Sequence, residues 1–144
     1  MLEAREAAIL RPAEIPVRER GGGARTVPLV NQLIGARSTL SGITEFEPGA
    51  AIALHYHNCE ETVLVLEGDA VAEIDGAEHG LQPGDTTWIP PGVRHRFRNA
   101  SATGRMRIYW TYASVDATRT VLETGYTTRI DEEHGVVPRR PRDE

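Results

Sequence analysis

Apolar residues in this chain fall in short runs broken by turn residues, and within most runs they alternate with polar ones. Segments 27–34, 38–46, 51–57, 62–66, 70–74, 85–89, 95–99 and 106–112 therefore predict strands. The breaks carry turn chemistry: Glu47-Pro48-Gly49, Glu67-Gly68-Asp69, Asp75-Gly76, Gln82-Pro83-Gly84-Asp85 and Pro90-Pro91-Gly92. No stretch longer than about ten residues keeps a 3.6-residue apolar period, and no long internal repeat occurs. Helical bundles and solenoids are thereby excluded, and an all-β fold with a closed or double-sheet jelly-roll barrel is expected.

The ends read differently. Residues 1–26 mix Glu, Arg, Ala and Pro and include Gly21-Gly22-Gly23, which predicts an arm with a flexible hinge. The barrel is expected over 27–126, where 113–126 forms one more strand or a short extension. Residues 127–144, mostly charged or Pro, are expected to be a mobile tail.

A length of 144 residues suits one domain with one core. The net charge of -5 and the lack of a dense basic stripe exclude a nucleic-acid backbone as main partner and favour a small molecule. All 16 basic residues are Arg, so Schiff-base chemistry through an internal lysine is impossible. Cys59 is the single cysteine, which rules out an intrachain disulfide and a thiolate zinc knuckle. No apolar stretch approaches the ~20 residues of a membrane span, and Glu3, Arg5 and Glu6 stand where a signal peptide would be apolar, so a cytoplasmic protein without a membrane partner is expected.

The chemistry concentrates in the histidines. His55 and His57 lie two apart on a predicted strand, so both rings leave the same face about 7 Å apart. Glu61 follows the polar break Asn58-Cys59-Glu60 with its carboxylate toward the same interior, while Val63 and Val65 share its parity deeper in the core. His95 opens a strand in which His95, Phe97 and Asn99 face inward and Arg94, Arg96 and Arg98 outward. Three imidazoles and one carboxylate suit one borderline divalent transition ion: iron, manganese, nickel, cobalt, copper or zinc. Glu60 has the opposite parity, Cys59 reads as a spacer in a turn, and His79 and His134 read as surface residues.

The segment from Gly49 to Gly68 reads G-x5-H-x-H-x3-E-x6-G, and that from Gly84 to Asn99 reads G-x5-P-x-G-x2-H-x3-N. Both resemble the two motifs of the cupin superfamily at every specified position, and the 15-residue interval between them resembles that of compact single-domain cupins. The resemblance implies a jelly-roll barrel of six or more strands, with His55, His57, Glu61 and His95 as metal ligands at its open end. It also implies one or two positions on the ion left for water, substrate or dioxygen.

Met106, Ile108, Trp110 and Tyr112 share one face of their strand. The first two read as core, and Trp110 and Tyr112 as either core or the wall of a substrate pocket; Trp88 and Tyr56 are weaker pocket candidates. The expected function is a metal-dependent cupin acting on a small organic molecule, a dioxygenase ahead of a lyase or isomerase, with Glu61 a possible base. The alternative is a non-catalytic small-ligand-binding or sensing cupin that acts through a partner. Ile52, Leu54, Leu64 and Leu66 lie on the parity opposite to the ligands, which leaves apolar outer faces to cover and predicts a homodimer. Sedimentation at micromolar concentration is expected to give a dimer mass; a monomer would overturn the pairing.

Overall fold

Strict alternation decides how these strands sit. In β10 (Met106–Tyr112) Met106, Ile108, Trp110 and Tyr112 are buried and the residues between them half-exposed, and β9 (His95–Asn99) alternates in the same way from His95. The computed structural model describes residues 6–135. Their strands form two six-stranded antiparallel sheets packed face to face in a jelly-roll sandwich rather than one closed barrel.

The first sheet runs β1 (Arg18–Gly21), β2 (Ala24–Pro28), β3 (Leu40–Phe46), β10, β5 (Glu61–Glu67), β8 (Thr86–Ile89). The second runs β12 (Thr127–Arg129), β11 (Thr118–Val121), β4 (His55–His57), β9, β6 (Ala70–Ile74), β7 (Ala77–Leu81). A single helical turn, α1 (Ile130–Glu133), follows β12.

Phe46, Val63, Val65, Ile89, Phe97, Met106 and Ile108 fill the space between the sheets. Each such side chain contributes ~1.5–3 kcal/mol on burial. The outer faces carry Arg–Glu pairs such as Arg96–Glu73 and Arg98–Glu78, whose exposed charges are solvent-screened and add little. The core, not the ion pairs, holds the sandwich.

Several expectations change at the edges. The Gly21-Gly22-Gly23 run is no hinge: all three residues have positive φ, and they turn the chain tightly from β1 into β2. The sheets thus begin at Arg18, inside the expected arm, and they extend past residue 126 through β12 to α1, inside the expected tail. Residues 1–5 and 136–144, the outer parts of that arm and tail, lie outside the described residues. Segment 27–34 is strand only to Pro28 and ends in a short 3-10 turn at Gln32–Ile34. Segment 51–57 is strand only at His55–His57, with one isolated bridge at Ala51.

Asn99, the last residue of the second motif, ties the end of β9 to the loops around it. Its buried amide nitrogen lies 3.1 Å from the carbonyl oxygens of both Phe46 and Glu47 and 2.8 Å from that of Gly104, and its side-chain oxygen accepts from the Ser101 amide at 2.9 Å. Replacing it strands several buried backbone groups at once. Asn99→Ala is therefore expected to cost roughly 1–3 kcal/mol, read as a lower midpoint in urea unfolding.

Candidate metal centre

The site lies between the sheets. His55 and His57 project from β4 and His95 from β9, and His55 pairs directly with His95 across the two strands. From the opposite sheet come Glu61, the first residue of β5, and Tyr112, its partner in register on β10. All five side chains are buried. The ring centroids stand 4.7 Å (His55–His57), 4.5 Å (His55–His95) and 5.0 Å (His57–His95) apart.

One feature repeats in all three rings. His55 Nδ1 lies 2.6 Å from the Ala53 carbonyl, His57 Nδ1 2.9 Å from that of Thr118, and His95 Nδ1 2.9 Å from that of Val93. A carbonyl can only accept, so each Nδ1 carries a proton, and each Nε2 is turned to the common point, free to bond a metal ion or, when protonated, to donate to Glu61. Such outer hydrogen bonds fix ring orientation at metal sites. The ligating atoms of the three histidines lie within 4.8 Å of one another, and His57 Nε2 is buried without a hydrogen-bond partner.

Glu61 stands against two of these rings, its Oε1 3.0 Å from His95 Nε2 and 3.5 Å from His57 Nε2. A carboxylate oxygen facing a nitrogen lone pair is repulsive unless the ring takes a second proton or a cation lies between them. Burial alone would push the Glu61 carboxyl up, but His57 and His95 outweigh it and hold the group well below the usual carboxylate range. Converging Nε2 atoms, an orphaned one among them, and an ionised carboxylate together fit a divalent transition ion. The compact group is the three histidines, which Glu61 joins through His57 and His95.

Around this floor is a cavity of about 20 Å³, lined by Phe97, Ile108, Trp110 and Tyr112 together with His55, Glu61 and His95, and by Ile52, which faces inward here rather than on the outer face expected for it. Tyr112 packs its ring edge on His57 at 4.7 Å, and burial, then the charge of Glu61, push its phenol well above the ordinary value. Trp110 donates to Thr44 Oγ1 at 2.8 Å. The indole fits because residue 42 is Gly, where a Cβ would come within 2.5 Å of Trp110.

Of the four pocket candidates, then, Trp110 and Tyr112 line the cavity. Trp88 instead lies 61% exposed on the outer face, bonded to Glu60, and Tyr56 points away from the ligand face of β4. Cys59 is half-buried, and burial raises its thiol, as do the charges of Glu61 and Glu60, so it is a poor nucleophile. His79 is exposed, though on a strand rather than in a turn.

His134 is not a surface residue. It is buried, stacks on Trp110 at 5.2 Å and lines the cavity, as do Arg20 and Arg119. What carries it there is α1, pinned by the fully buried Ile130 and by a two-point contact of Arg129 with Asp131 at 3.0 Å. Nothing in the charged sequence around His134 marks it as buried. The nearest signal is Ile130, the lone large apolar residue of that helix.

The arrangement identifies the class. Residues 42–112 match the model of the cupin domain, and the chain belongs to the cupin family. It is 41% identical over 85 residues to the polyketide synthase protein CurC of Streptomyces cyaneus, covering 58% of this chain and 54% of that one. It is 32% identical over 94 residues to the tetracenomycin polyketide synthase protein TcmJ of Streptomyces glaucescens, covering 65% of this chain and 63% of that one. The chain thus spans less than two thirds of the length of these relatives. Its fold resembles that of the polyketide cyclase RemF of Streptomyces resistomycificus, with a TM-score of 0.70 at 18% identity over 87% of this chain and 86% of that one.

Burial also pulls two histidines down: His55 well below its ordinary value, and His134 to about 3, each further lowered by nearby Arg119. Both are neutral in the fold, whereas in the unfolded chain they take a proton below about 6.5. The unfolded state then binds more protons, so stability falls as pH drops from about 6.5 toward 3. His134→Phe, which keeps a ring on Trp110, is expected to soften that acid limb in thermal unfolding followed against pH.

Proposed function

We propose that this chain is a metal-dependent enzyme acting on a small, oxygen-rich carbonyl compound of the polyketide type. The observation that carries the reading is the Nδ1–carbonyl hydrogen bond shared by His55, His57 and His95, which turns three Nε2 atoms to one point beside an ionised Glu61. The likeness to CurC, TcmJ and RemF supports the substrate class. A divalent ion held by His55, His57, His95 and Glu61 would polarise a carbonyl oxygen as a Lewis acid.

The protein's own groups do the rest. Glu61 is the one carboxylate among the described residues lining the cavity, and once it moves off His57 and His95, which hold its basicity down, it accepts a proton from a carbon between two carbonyls. The enolate so formed attacks a second carbonyl of the same molecule, forming a carbon–carbon bond. Tyr112, kept protonated by its raised pKa, donates to the alkoxide that forms; the attacking carbon then gives its second proton back to Tyr112 while the proton held by Glu61 passes to the new hydroxyl, which departs as water and leaves a carbon–carbon double bond. Trp110, Phe97 and Ile108 give an apolar wall against which a flat product can stack. Two copies pair through the outer face of β5 and β8, where Leu66 and Trp88 are exposed.

Elemental mass spectrometry on tag-free protein is expected to find about one transition metal per chain, and His57→Ala to retain roughly a tenth of it or less. Unchanged stoichiometry in that variant would overturn the site. With a poly-β-ketone substrate, a product lighter by one water supports cyclisation, whereas one heavier by two oxygen atoms makes the protein a dioxygenase.

A further inference from the structure

A buried guanidinium, Arg119, and a partly buried one, Arg20, share one carboxylate beside the candidate metal centre. Arg20 on β1 and Arg119 on β11 both line the inner cavity, together with His55, Glu61 and Trp110. Arg119 is 6% exposed, and its Nε is buried without a hydrogen-bond partner. Among the described residues the ion-pair partner of each is the same oxygen of Glu133, 3.2 Å from Arg20 and 3.5 Å from Arg119. The other oxygen of Glu133 accepts from the Thr128 hydroxyl at 2.8 Å. One negative charge thus faces two positive ones with little access to water, where an unmatched charge is costly.

The same residues divide two spaces. The inner cavity of about 20 Å³ has room for about one water, far below the ~300 Å³ or more that an organic ligand occupies. On the far side of Arg20, Ile52 and Arg119 lies an open groove of about 550 Å³, lined also by Glu133 and Val121. An organic substrate reaches the centre from that groove only if part of the partition yields. Glu133 closes it from α1, a helix of four residues near the end of the described chain.

We propose that Arg119 and Arg20 recognise the carboxylate of an anionic substrate, which takes the place that Glu133 occupies in this structure. A guanidinium offers two parallel N–H donors to a carboxylate, and Arg119 has an N–H to spare. Glu133 is then an internal stand-in for the substrate's own charge. The inference rests on the proposed function in that the groove and the metal centre form one pocket, and it adds the substrate's charge and the residues that read it.

Calorimetric titration of the full chain with benzoate and with its neutral counterpart benzamide tests this, with metal content measured on every sample. Benzoate is expected to bind at least about tenfold more tightly than benzamide. Glu133→Gln, which removes the internal competitor, is expected to tighten benzoate about tenfold, and Arg119→Gln to weaken it by about tenfold or more, both without change in metal content. Equal binding of the two probes, or no detectable benzoate binding even by Glu133→Gln, would overturn the proposal, and the Glu133 variant decides it if Arg119→Gln fails to fold. Arginine-dependent benzoate binding by a chain that holds no metal would support the anion seat while removing the metal reading.

Discussion

The structure depends on a buried negative charge set across the gap between two sheets. Glu61 belongs to β5, yet the groups that keep it ionised, His57 and His95, belong to β4 and β9 of the opposite sheet. A carboxylate with this little access to water is tolerated only where something positive or proton-donating meets it. The two sheets are therefore joined at one end by an electrostatic requirement, and along the rest of their length by apolar packing of Phe46, Val65, Ile89 and Met106. The backbone carbonyls of Ala53, Val93 and Thr118 complete the arrangement by holding the protons on the far side of each ring. Thr118 stands on β11, so a strand that supplies no ligand still sets the direction of one.

A second line of contacts runs from the pocket wall to the edge of the first sheet. Trp110 bonds to Thr44, Thr44 to Thr26 at 2.9 Å, and Arg20 reaches Thr26 at 3.3 Å. Buried hydroxyls in series satisfy one another and fix the indole's tilt, while Gly42 leaves the ring its space. The chain end before β2 and the one after β12 meet where Arg20 pairs with Glu133. Both ends of the described chain thus contribute to the site.

The inner strands and the convergence of the three histidines were legible because their signals are local. Period-two alternation places His55, His57, His95 and Phe97 inward, and the glycine and proline turns place the reversals. The outer elements were not. β7 reads Ala-Glu-His-Gly-Leu and buries almost nothing, so no apolar alternation marks it, although the Asp75-Gly76 turn before it announces a hairpin. β1 was hidden by the glycines 21–23 at and after its end, which suggest freedom where pairing with β2 imposes a tight turn. Arg20, Arg119 and His134 escaped because burial of a charged or polar side chain follows from partners distant in sequence, and neither composition nor period encodes those. Trp88 misled for the opposite reason: a large aromatic suggests a pocket, yet its parity on β8 turns it to the outer face.

The division of labour between inner and outer strands bears on how such a protein can change. The residues suited to hold an ion lie on strands enclosed by neighbours on both sides, where a substitution disturbs packing in every direction. Of the residues facing the open groove, Glu19, Arg20 and Gly21 lie on the edge strand β1 and Glu133 on a one-turn helix, segments whose backbone is paired on few sides. Exchange at positions 19 and 133 can therefore refit the entrance for a new molecule while leaving the reactive centre intact, so selectivity and reactivity are free to diverge at separate rates in descendants of this chain.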